Sequence, residues 1–556
     1  MRNVKGVRRS SFKIITKLLS LIGSLAYVIV IAVINGSVGH IIGTFIPILG
    51  AIAIAKTLGA FTSISYEVLI GLLVGFGLLR GLLRYFEQYA NHYIAFKLLA
   101  KIRDIIFAKL RVLSPAKLET KQKGTIISMI TADTETIEVF YAHTISPVCI
   151  AFLVSLTIFL FIGFVSSWYM ALFAVFAYVV VGVIIPIISR RVTKKEGGEY
   201  RQKFTEFNGY FVDSIKGSKD IILHGKEAQK QKTVENHTDK LLSATKSLKD
   251  KSLSMNVVTN TTVIVLNIIM LVIGILLVHY SDLGVGNMFV AVVALMSSYG
   301  PVLSLAALPT DLSQTLASGD RLISLLEEEP VVEDIKNGKD FEFENLKTKK
   351  LCFAYDEANP VLKDLEIEVT KGEIVGIVGS SGCGKSTVFK LLLRFYDKDS
   401  GEILFNDVDI NNINTDSLKK NVTMVSQKTY LFDDTIKGNL LIAKQNATDE
   451  EIVEACKKAG IHNLISQLKQ GYDTKVGGAN ASLSAGETQR IGIARAFLSD
   501  AKLILLDEPT SNVDAINEGI ILKSLLLNKE DKAIIIVSHR ESTISIADRV
   551  YRFDSC

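Results

Sequence analysis

Six stretches of this chain are long and apolar enough to cross a lipid bilayer, and all of them lie in its first 308 residues. The hydrocarbon core of a bilayer is about 30 Å thick, and an α-helix of about 20 residues crosses it. The first part of the chain is therefore expected to lie in a membrane. The stretches are residues 18–55, 68–83, 147–165, 168–188, 257–279 and 288–308.

Composition separates this part from the rest and excludes one class of partner. Hydrophobic residues make up 49% of the 556 residues, and the mean hydropathy of +0.33 averages two unlike halves. The net charge of +5 is small, and basic residues gather at the ends of the apolar stretches, so no nucleic-acid partner is expected. The five cysteines form no Cys-x-x-Cys pair, which favours isolated reduced thiols.

Two connections between the apolar stretches are long and charged. Residues 95–113 and 203–248 carry Lys, Arg, Glu and Asp at helical spacing. We therefore expect membrane helices that continue far into the cytoplasm. We predict that they reverse near residues 117–124 and 214–220 and contact a soluble domain there. The alternative is that these connections are solvated loops without a mechanical role.

Residues 379–387 read Gly-Ser-Ser-Gly-Cys-Gly-Lys-Ser-Thr and form a phosphate loop. An apolar run suited to a buried strand precedes the loop, and a helical pattern follows it, which is the context such a loop needs. The glycines let backbone N–H groups surround phosphates at a helix N-terminus. Lys385 is expected to reach the β- and γ-phosphates of ATP, and the Ser386 hydroxyl to coordinate Mg²⁺.

Two further apolar runs end in residues suited to phosphoryl transfer. Residues 502–506 lead to Asp507 and Glu508, and residues 533–537 lead to Ser538 and His539. Asp507 suits Mg²⁺ through water, and Glu508 suits the general base that polarises the attacking water. His539 is expected to hydrogen-bond the γ-phosphate and to hold Glu508 and the water in line. A histidine met alone would more often be structural.

These residues resemble the nucleotide-binding domain of ABC transporters. The resemblance includes the phosphate loop, Gln427, the Leu-Ser-Ala-Gly-Glu run at residues 483–487 (the signature turn), the Asp507-Glu508 pair, residues 511–514 and His539. The apolar half resembles the exporter type. The fold implied is multidomain: an all-α six-helix transmembrane domain with long cytoplasmic extensions, followed by an α/β P-loop ABC ATPase domain.

The domain boundaries and the orientation follow from charge and from the number of membrane passes. We predict a transmembrane domain over residues 1–326, a linker over 327–339, and a nucleotide-binding domain over 340–556. The linker is acidic, and Pro330 ends the helix before it. The first apolar stretch is long enough for one over-long helix or two short ones. A basic N-terminus and an ATP-binding C-terminus both face the cytoplasm, so an even number of passes is required, and six is expected rather than seven. The protein is thus placed in the cytoplasmic membrane, in contact with the lipid bilayer.

The ABC resemblance also implies roles for further residues. Tyr355 would stack on adenine, and Gln427 would contact Mg²⁺, couple to the membrane half and join Glu508 and His539 in catalysis. Ser484 and Gly486 would bind the γ-phosphate of ATP held by an opposite subunit, because two sites form between head-to-tail domains in this family. The nucleotide set is Tyr355, Gly379, Ser380, Gly382, Cys383, Gly384, Lys385, Ser386, Thr387, Ser484 and Gly486, and the Mg²⁺ set is Ser386, Gln427 and Asp507.

The signature turn departs from the common Leu-Ser-Gly-Gly-Gln at two positions. Glu487 is a known variation, but Ala485 adds a Cβ where glycine permits close approach and unusual φ. This puts in doubt the site that the turn completes on a partner, whereas Lys385, Glu508 and His539 of this chain are intact. The asymmetry favours a heterodimer with a second ABC half-transporter over a homodimer.

The second apolar stretch and the residues after it resemble the CydC half of CydDC-type exporters. That resemblance implies a CydD-like partner and thiol or haem cargo. His92 occupies the family position associated with haem, and imidazole is a haem ligand, while Gln88 stands where the family has arginine. A histidine hydrogen-bonded at the membrane interface is the plainer alternative. The similar residues are 84–92, 97–103, 113–116 and 132–136, with Glu487.

Three functions are compatible with these patterns. The first is ATP-driven export of a small molecule across the cytoplasmic membrane. The second is a multidrug or lipid exporter half, because few charges in the membrane segments would suit apolar cargo equally well. The third is a membrane sensor that binds ATP without pumping. Glu508 and His539 argue against the sensor, because a switch that does not hydrolyse ATP needs no general base.

Overall fold

The computed structural model describes residues 9–57, 59–61, 64–119, 121, 123–305, 308–356, 359–380, 382–478, 483–511 and 513–553. The described chain divides into two compact units. The first, here the helical unit, contains residues 9–110 and 121–328. The second, here the sheet unit, contains residues 111–119 and 329–553.

Helices make up the first part of the described chain, because its apolar stretches are long and contain few helix-breaking residues. Three five-residue π-helical turns interrupt them, at Met129–Asp133, Tyr141–Ile145 and Val180–Ile184. The α-helices are α1 (Ser11–Ile22), α2 (Ala26–Thr57), α3 (Tyr66–Leu113), α4 (Ala116–Glu119), α5 (Lys123–Ser128), α6 (Thr134–Phe140), α7 (Ser146–Val165), α8 (Trp168–Val179), α9 (Ile185–Lys216), α10 (Ser218–Leu223), α11 (Glu227–Tyr280), α12 (Val285–Ser304) and α13 (Leu308–Glu327).

Among the described residues, six helices are long and apolar enough to cross a membrane, as the sequence predicts. They are α2, α3, α7, the continuous helix formed by α8 and α9, α11 and α12. The first apolar stretch is split: α1 ends at Ile22, and the Gly23 that caps it has a φ of +50°. Helix α1 is amphipathic and buries Ile14 and Leu18 beside Gly319 of α13. The span is therefore α2 alone, which is why six passes result.

The predicted cytoplasmic extensions are continuous with the membrane helices. Helix α3 has 48 residues and α11 has 54, which at 1.5 Å per residue correspond to about 72 and 81 Å. A bilayer core of about 30 Å accounts for less than half of either length. Helix α9 ends at Lys216 and the short α10 follows, so the chain reverses between α9 and α11, close to the predicted position.

The sheet unit contains two five-stranded sheets and one two-stranded sheet among the residues described. The strands are β1 (Asn345–Asp356), β2 (Asn359–Leu365), β3 (Glu368–Thr370), β4 (Ile374–Gly379), β5 (Ser400–Phe405), β6 (Val408–Asp409), β7 (Val422–Val425), β8 (Asp434–Thr435), β9 (Lys475–Val476), β10 (Leu503–Asp507), β11 (Ala533–Val537) and β12 (Arg549–Phe553). The helices are α14 (Lys385–Leu392), α15 (Thr415–Asn421), α16 (Ile436–Leu441), α17 (Asp449–Lys458), α18 (His462–Gln467), α19 (Ala485–Leu498), α20 (Ala515–Leu527) and α21 (Glu541–Ile544).

One sheet is entirely parallel and sets the position of the candidate site. Its order is β12-β4-β11-β10-β7. The inner strands are apolar at nearly every position because both faces are buried, which is the pattern of a parallel sheet. The carboxyl ends of β4, β7, β10 and β11 lie at the same edge, where open α/β sheets bind ligands. The other five-stranded sheet is antiparallel and contains β1, β2, β3, β5 and β6.

The segment predicted as a linker contacts the sheet unit. The backbone N–H of Ile335 donates to Thr415 Oγ1 at 2.9 Å, and that of Lys339 donates to the Asn412 carbonyl at 2.7 Å. By its contacts the sheet unit already begins at Glu329. Residues 554–556, the end of the predicted nucleotide-binding domain, lie outside the described residues.

Candidate functional site

The phosphate loop joins β4 to α14. Gly384, which caps α14, has a φ of +94°, and a Cβ there would lie 2.8 Å from Val361 Cγ1. Lys385 begins the helix and is 7% exposed. Its Nζ donates to the carbonyls of Gly379 and Ser380 at 2.8 Å each. The ammonium therefore lies inside the loop, at the positive end of a helix where phosphate is favoured. Ser381 lies outside the described residues.

Oxygen donors from two strands meet next to this loop. The Ser386 hydroxyl donates to Asp507 Oδ1 at 3.1 Å. Burial raises the pKa of Asp507 above its ordinary value, although the hydrogen bond from Ser386 acts in the opposite direction. A hydroxyl and a carboxylate suit Mg²⁺, which commonly takes one or two protein oxygens and completes its coordination with phosphates and water. Across the described residues, no group of three or more His, Cys, Asp and Glu side chains could hold a metal without such help.

Glu508 follows β10 in a strained conformation. Its φ of +47° is in the left-handed region that non-glycine residues rarely adopt, and such strain is typical of functional positions. Its backbone N–H donates to the Val537 carbonyl of β11 at 2.9 Å. Gln427 Nε2 donates to one carboxylate oxygen at 2.7 Å, and His539 Nδ1 lies 3.2 Å from the other. The structure thus places the carboxylate between two side chains from loops after β7 and β11.

A partly buried ion pair anchors the loop that carries His539. Arg540 Nη1 contacts Glu518 Oε2 of α20 at 2.8 Å. Burial raises the pKa of Glu518, but hydrogen bonds from Ser542, Thr543 and Arg540 outweigh that effect and lower it overall. The His539 side chain itself is 58% exposed, and that of Glu508 is 22% exposed. Both remain accessible to a ligand.

Tyr355 of β1 lies next to the start of α14. Its hydroxyl is 3.2 Å from Thr387 Oγ1, and its ring packs edge-on against Phe353 and Tyr396. Tyr355 is 45% exposed, so part of the ring remains accessible to a planar base.

Lys390 of α14 is a residue that the sequence analysis missed. Its Nζ lies 5.8 Å from the centre of the Tyr355 ring and 2.6 Å from Glu119 Oε2 of α4. Burial lowers the pKa of Lys390, but the Glu119 carboxylate and nearby groups outweigh burial and raise it. The predicted contact near residues 117–124 is therefore present at Glu119. Lys390 lies on the same predicted helix as Lys385, and that position in the sequence could have indicated that it lies near the phosphate loop.

The signature turn forms the N-terminus of α19. Ser484 Oγ accepts from the Glu487 N–H at 3.3 Å, and Glu487 Oε2 accepts from the Ser484 N–H at 2.8 Å, which is a capping box. Ala485 is exposed and lies in the first turn of the helix without a positive φ. Gly486, the next residue, packs closely within this chain, since a Cβ there would lie 3.0 Å from Asn517 Cγ. We expected residue 485 to need the unusual φ that glycine permits, but the backbone there is helical and does not require it.

Ala485→Gly is expected to change ATP turnover by less than about twofold, because residue 485 already has ordinary helical backbone. Ser484→Ala is the matched comparison, since it removes the cap hydroxyl and should cost about 1 kcal/mol of stability. Steady-state ATP turnover and thermal unfolding of both variants check this. A rise of tenfold or more in Ala485→Gly would show that the methyl group obstructs the turn.

The structure brings most of the predicted site residues together. Lys385, Ser386, Gln427, Asp507, Glu508 and His539 lie around the edge of the parallel sheet. Within the described part of the chain, no hydrogen bond joins Ser484 or Gly486 to the phosphate loop; α19 packs against α16, α17 and α20. His92 belongs to the helical unit, is exposed, and stacks on Phe96 with ring centres 6.1 Å apart.

Lys532, just before β11, is a second residue that the sequence analysis passed over. Its Nζ donates to the Ala501 carbonyl at 2.5 Å. Burial, helped by the positive charges of Lys502 and Lys458, lowers the pKa of Lys532 from 10.5 to about 8. Between these two values the unfolded chain binds more protons than the folded one, so this residue makes stability rise as pH increases from about 8 to 10.5.

Lys532→Gln is expected to remove that contribution, so the stability of the variant relative to wild type should fall as pH rises across this window. Calorimetric unfolding of both proteins at several pH values measures the difference. Lys371→Gln, at an exposed lysine of the same unit, is the control. A constant difference between wild type and Lys532→Gln across the window would contradict the lowered pKa.

Two family models match this chain. The model described as the ABC transporter transmembrane region matches residues 15–310, and the model described as ABC transporter matches residues 362–511. The first alone covers more than half of the sequence. The chain belongs to the ABC transporters.

Relatives of this ABC transporter match it along most of its length. A probable ABC transporter ATP-binding/permease protein of Haemophilus influenzae is 45% identical over 545 residues, which cover 98% of each chain. A putative multidrug export ATP-binding/permease protein of Staphylococcus aureus is 32% identical over 485 residues, 85% of this chain and 82% of the relative. The structure of a bacterial Atm1-family ABC exporter with ATP bound has a TM-score of 0.78 at 23% identity, covering 96% and 94%.

This ABC transporter is an exporter-type half-transporter with fused membrane and ATP-binding domains. It crosses the membrane several times, its ATPase domain is cytoplasmic, and ATP hydrolysis is coupled to transport. ABC exporters act as dimers, so a second half is required. None of the three relatives is described as a CydC-type exporter or as a carrier of thiols or haem.

Proposed function

We propose that this chain hydrolyses ATP at its own phosphate loop with Glu508 as general base, and that a partner's signature turn completes the site during export of a small molecule. The observation that supports this most is the position of the Glu508 carboxylate between Gln427 and His539, next to the Ser386–Asp507 pair. A protein that only senses ATP has no need of this arrangement.

Nucleotide binding is proposed to use both sides of the phosphate loop. Backbone N–H groups at the start of α14 would receive the phosphates, and Lys385 would exchange its two carbonyl contacts for phosphate oxygens. The exposed part of the Tyr355 ring would stack on adenine. Gly379, Ser380, Gly382, Cys383, Gly384 and Thr387 complete this proposed set.

The chemical step is proposed to depend on where Glu508 holds a water. Its carboxylate would accept a proton from the attacking water, and the short contacts to Gln427 and His539 fix its direction. His539 would also donate to the γ-phosphate. Ser386, Asp507 and Gln427 would hold Mg²⁺, which neutralises charge on the phosphates when bound. The strained φ of Glu508 supports the proposal that its position, rather than its packing, matters.

For the dimer, the proposed partner is a second ABC half-transporter, with a heterodimer as the working hypothesis and a homodimer as the alternative. The signature turn would face the partner's nucleotide, and its departure from the common Leu-Ser-Gly-Gly-Gln at Ala485 supports a partner of different sequence. The intact capping box of Ser484 and Glu487 supports competence in both halves. The two oligomers predict different outcomes of a complementation experiment.

Complementation between two inactive variants decides it. Lys385→Ala removes the phosphate-loop ammonium and leaves the signature turn intact; Ser484→Ala does the reverse. In a mixed homodimer, one site combines an intact loop with an intact turn, while the other lacks both. Co-expression of the two variants with different affinity tags, followed by tandem purification, isolates mixed dimers for measurement of ATP turnover.

Recovery of about half of the wild-type turnover in the mixed dimer supports a homodimer with sites shared between chains, because one of two sites is restored. Purification of the wild-type chain as an inactive monomer supports a heterodimer. If Lys385→Ala and Ser484→Ala each hydrolyse ATP at the wild-type rate, the proposed site is refuted for the homodimer and for the heterodimer.

Haem or thiol cargo of the CydC type remains a hypothesis, and its haem form is tied to His92. The S. aureus relative is named for multidrug export, which supports an apolar small molecule as the second candidate. Adding haemin to the purified protein and to His92→Ala tests haem ligation. A visible-absorption change that depends on His92 would support it. Identical spectra would reject ligation at this residue.

A further inference from the structure

We propose that Glu518 of α20 is a positioning residue for ATP hydrolysis. Through its ion pair with Arg540, it holds the loop that carries His539 against the turn that follows Glu508. The inference rests on the proposed function, because that function gives His539 and Glu508 their roles. All four residues belong to the sheet unit. Among the described residues, the side-chain contacts of Glu518 are to α21 and to the His539 loop, and not to the phosphate loop.

The His539 side chain depends on its loop for its orientation. Among the described residues it has one polar contact, from Nδ1 to Glu508 Oε1 at 3.2 Å, and it is 58% exposed. The next residue, Arg540, has extended backbone, with a φ of −91° and a ψ of 127°. Neighbouring side chains point to opposite sides of extended backbone. The Arg540 side chain, 32% exposed, is therefore directed toward the interior of the unit, while His539 faces the site.

The Arg540 guanidinium joins two segments of the chain. Its Nη1 donates to Glu518 Oε2 at 2.8 Å, and its Nη2 donates to the Ser511 carbonyl at 3.2 Å. Ser511 belongs to the turn after Glu508, because its backbone N–H donates to the Glu508 carbonyl at 3.2 Å. An arginine holds its donors in a rigid planar fork. The guanidinium thus fixes the distance between the His539 loop and the Glu508 turn.

Buried hydroxyl groups join the same two segments a second time. Thr510 Oγ1 lies 2.7 Å from Thr543 Oγ1 of α21, and these residues are 1% and 0% exposed. Thr543 Oγ1 donates to Glu518 Oε1 at 3.0 Å, and Ser542 Oγ donates to the same oxygen at 2.6 Å. Glu518 is 8% exposed. Its carboxylate therefore accepts hydrogen bonds from Arg540, Ser542 and Thr543, and so orders the donors on both segments.

The charge of this network is better explained by alignment than by stability. Desolvation cancels much of the attraction within an ion pair that is taken out of water, and an apolar pair of similar volume is often as stable. A fully satisfied polar network instead specifies one arrangement. The arrangement specified here carries a catalytic hydrogen bond, and a displacement of about 1 Å at such a site can cost about a hundredfold in rate.

Single-turnover ATP hydrolysis, ATP binding and thermal unfolding of the full-length protein in phosphatidylcholine nanodiscs test the proposal. Glu518→Gln removes the negative charge. Arg540→Lys keeps Glu518 paired but replaces the planar fork with one ammonium group, and it serves as the deciding variant if Glu518→Gln does not fold. Glu541→Gln, at an exposed carboxylate beside the network, is the matched control. Each variant is also combined with His539→Ala.

We expect Glu518→Gln and Arg540→Lys to lower the rate of hydrolysis about tenfold or more. ATP affinity should stay within about threefold of wild type, because neither residue contacts the phosphate loop. Combined with His539→Ala, neither change should lower the rate of that variant by more than about twofold, since residues that act through the same group are not additive. Glu541→Gln should hydrolyse ATP like wild type.

Two results would overturn the proposal. The first is a loss of the same factor with and without His539, because the network would then act independently of that side chain. The second is a lower unfolding temperature with an unchanged rate of hydrolysis in Arg540→Lys, since the network would then be important for stability alone.

Glu508→Gln separates this proposal from the proposed general base. Hydrolysis that depends on Glu508, together with non-additive effects of Arg540→Lys and His539→Ala, supports both. The same non-additivity with hydrolysis that does not depend on Glu508 would leave the positioning role standing and refute the general base. Hydrolysis that depends on Glu508 but is unaffected by Arg540→Lys would refute the positioning role alone.

Discussion

Glu508→Gln is expected to lower ATP turnover by about a hundredfold or more, the range attributed to a lost general base. Glutamine has nearly the same shape as glutamate. The side chain at position 508 should therefore keep its place between Gln427 and His539, while it loses its negative charge. Neither contact is part of the phosphate loop. ATP affinity should therefore remain within about threefold of wild type. Single-turnover hydrolysis and binding of a fluorescent ATP analogue measure the two quantities separately.

Glu530→Gln is the matched control for this variant, since Glu530 is an exposed carboxylate in the same unit. It should leave turnover and affinity unchanged. A Glu508→Gln protein that hydrolyses ATP at the wild-type rate would show that another group, or water alone, receives the proton. An equal loss in both variants would point to damage of the sheet unit rather than to chemistry.

Lys385→Ala is expected to weaken ATP binding by about a hundredfold or more, because two charge-assisted hydrogen bonds to phosphate, each contributing about 1.5 to 3 kcal/mol, are lost. In the structure this ammonium already contacts two carbonyls of the loop. Its removal therefore affects the shape of the loop as well as its charge. Titration with ATP and with ADP, followed by calorimetry, measures the loss.

The effect of Lys385→Ala should be larger for ATP than for ADP, since the side chain is expected to reach the γ-phosphate as well as the β-phosphate. Lys371→Ala, at an exposed lysine that lies 3.8 Å from Asp531, is the control and should bind both nucleotides normally. Equal affinity of Lys385→Ala and wild type for ATP would place the phosphates elsewhere. Equal losses of affinity for ATP and for ADP would show that Lys385 does not contact the γ-phosphate.

The two variants are expected to fail at different steps. Lys385→Ala should lose binding, and hydrolysis with it, whereas Glu508→Gln should bind ATP and fail to cleave it. Added ATP should therefore protect Glu508→Gln from proteolysis and thermal unfolding, because a ligand that binds the folded state stabilises it. It should not protect Lys385→Ala at the same concentration. This pattern distinguishes a hydrolysing site from one that merely holds nucleotide.

Local patterns in the sequence predicted the features that depend on neighbouring residues. The six membrane helices follow from the length of the apolar stretches, because a helix satisfies its own backbone hydrogen bonds within lipid. The strand before the phosphate loop and the helix after it follow in the same way, since loop, strand and helix are contiguous. Strands β10 and β11 were predicted because buried parallel strands are apolar at every position.

Contacts between distant residues were decided by the tertiary structure. Glu508 meets Gln427 and His539 across separations of 81 and 31 residues, and Lys390 meets Glu119 across 271. Such contacts depend on which strands are neighbours in the sheet, and hydrophobic periodicity carries no information about that order. The sequence left open whether the first apolar stretch forms one long helix or two short ones, and the backbone at Gly23, with its positive φ, separates α1 from α2.

The sequence by itself thus determined that the chain has a membrane half and an ATP-binding half, because length and contiguous motifs are properties of the chain alone. The tertiary structure decided that the strained Glu508 carboxylate lies between Gln427 and His539. It also decided that Gly486 packs closely against Asn517 of α20, and that Arg84 of α3 meets His40 of α2. The physical reason is that distances and backbone angles arise only when elements pack, and packing is a property of the whole fold.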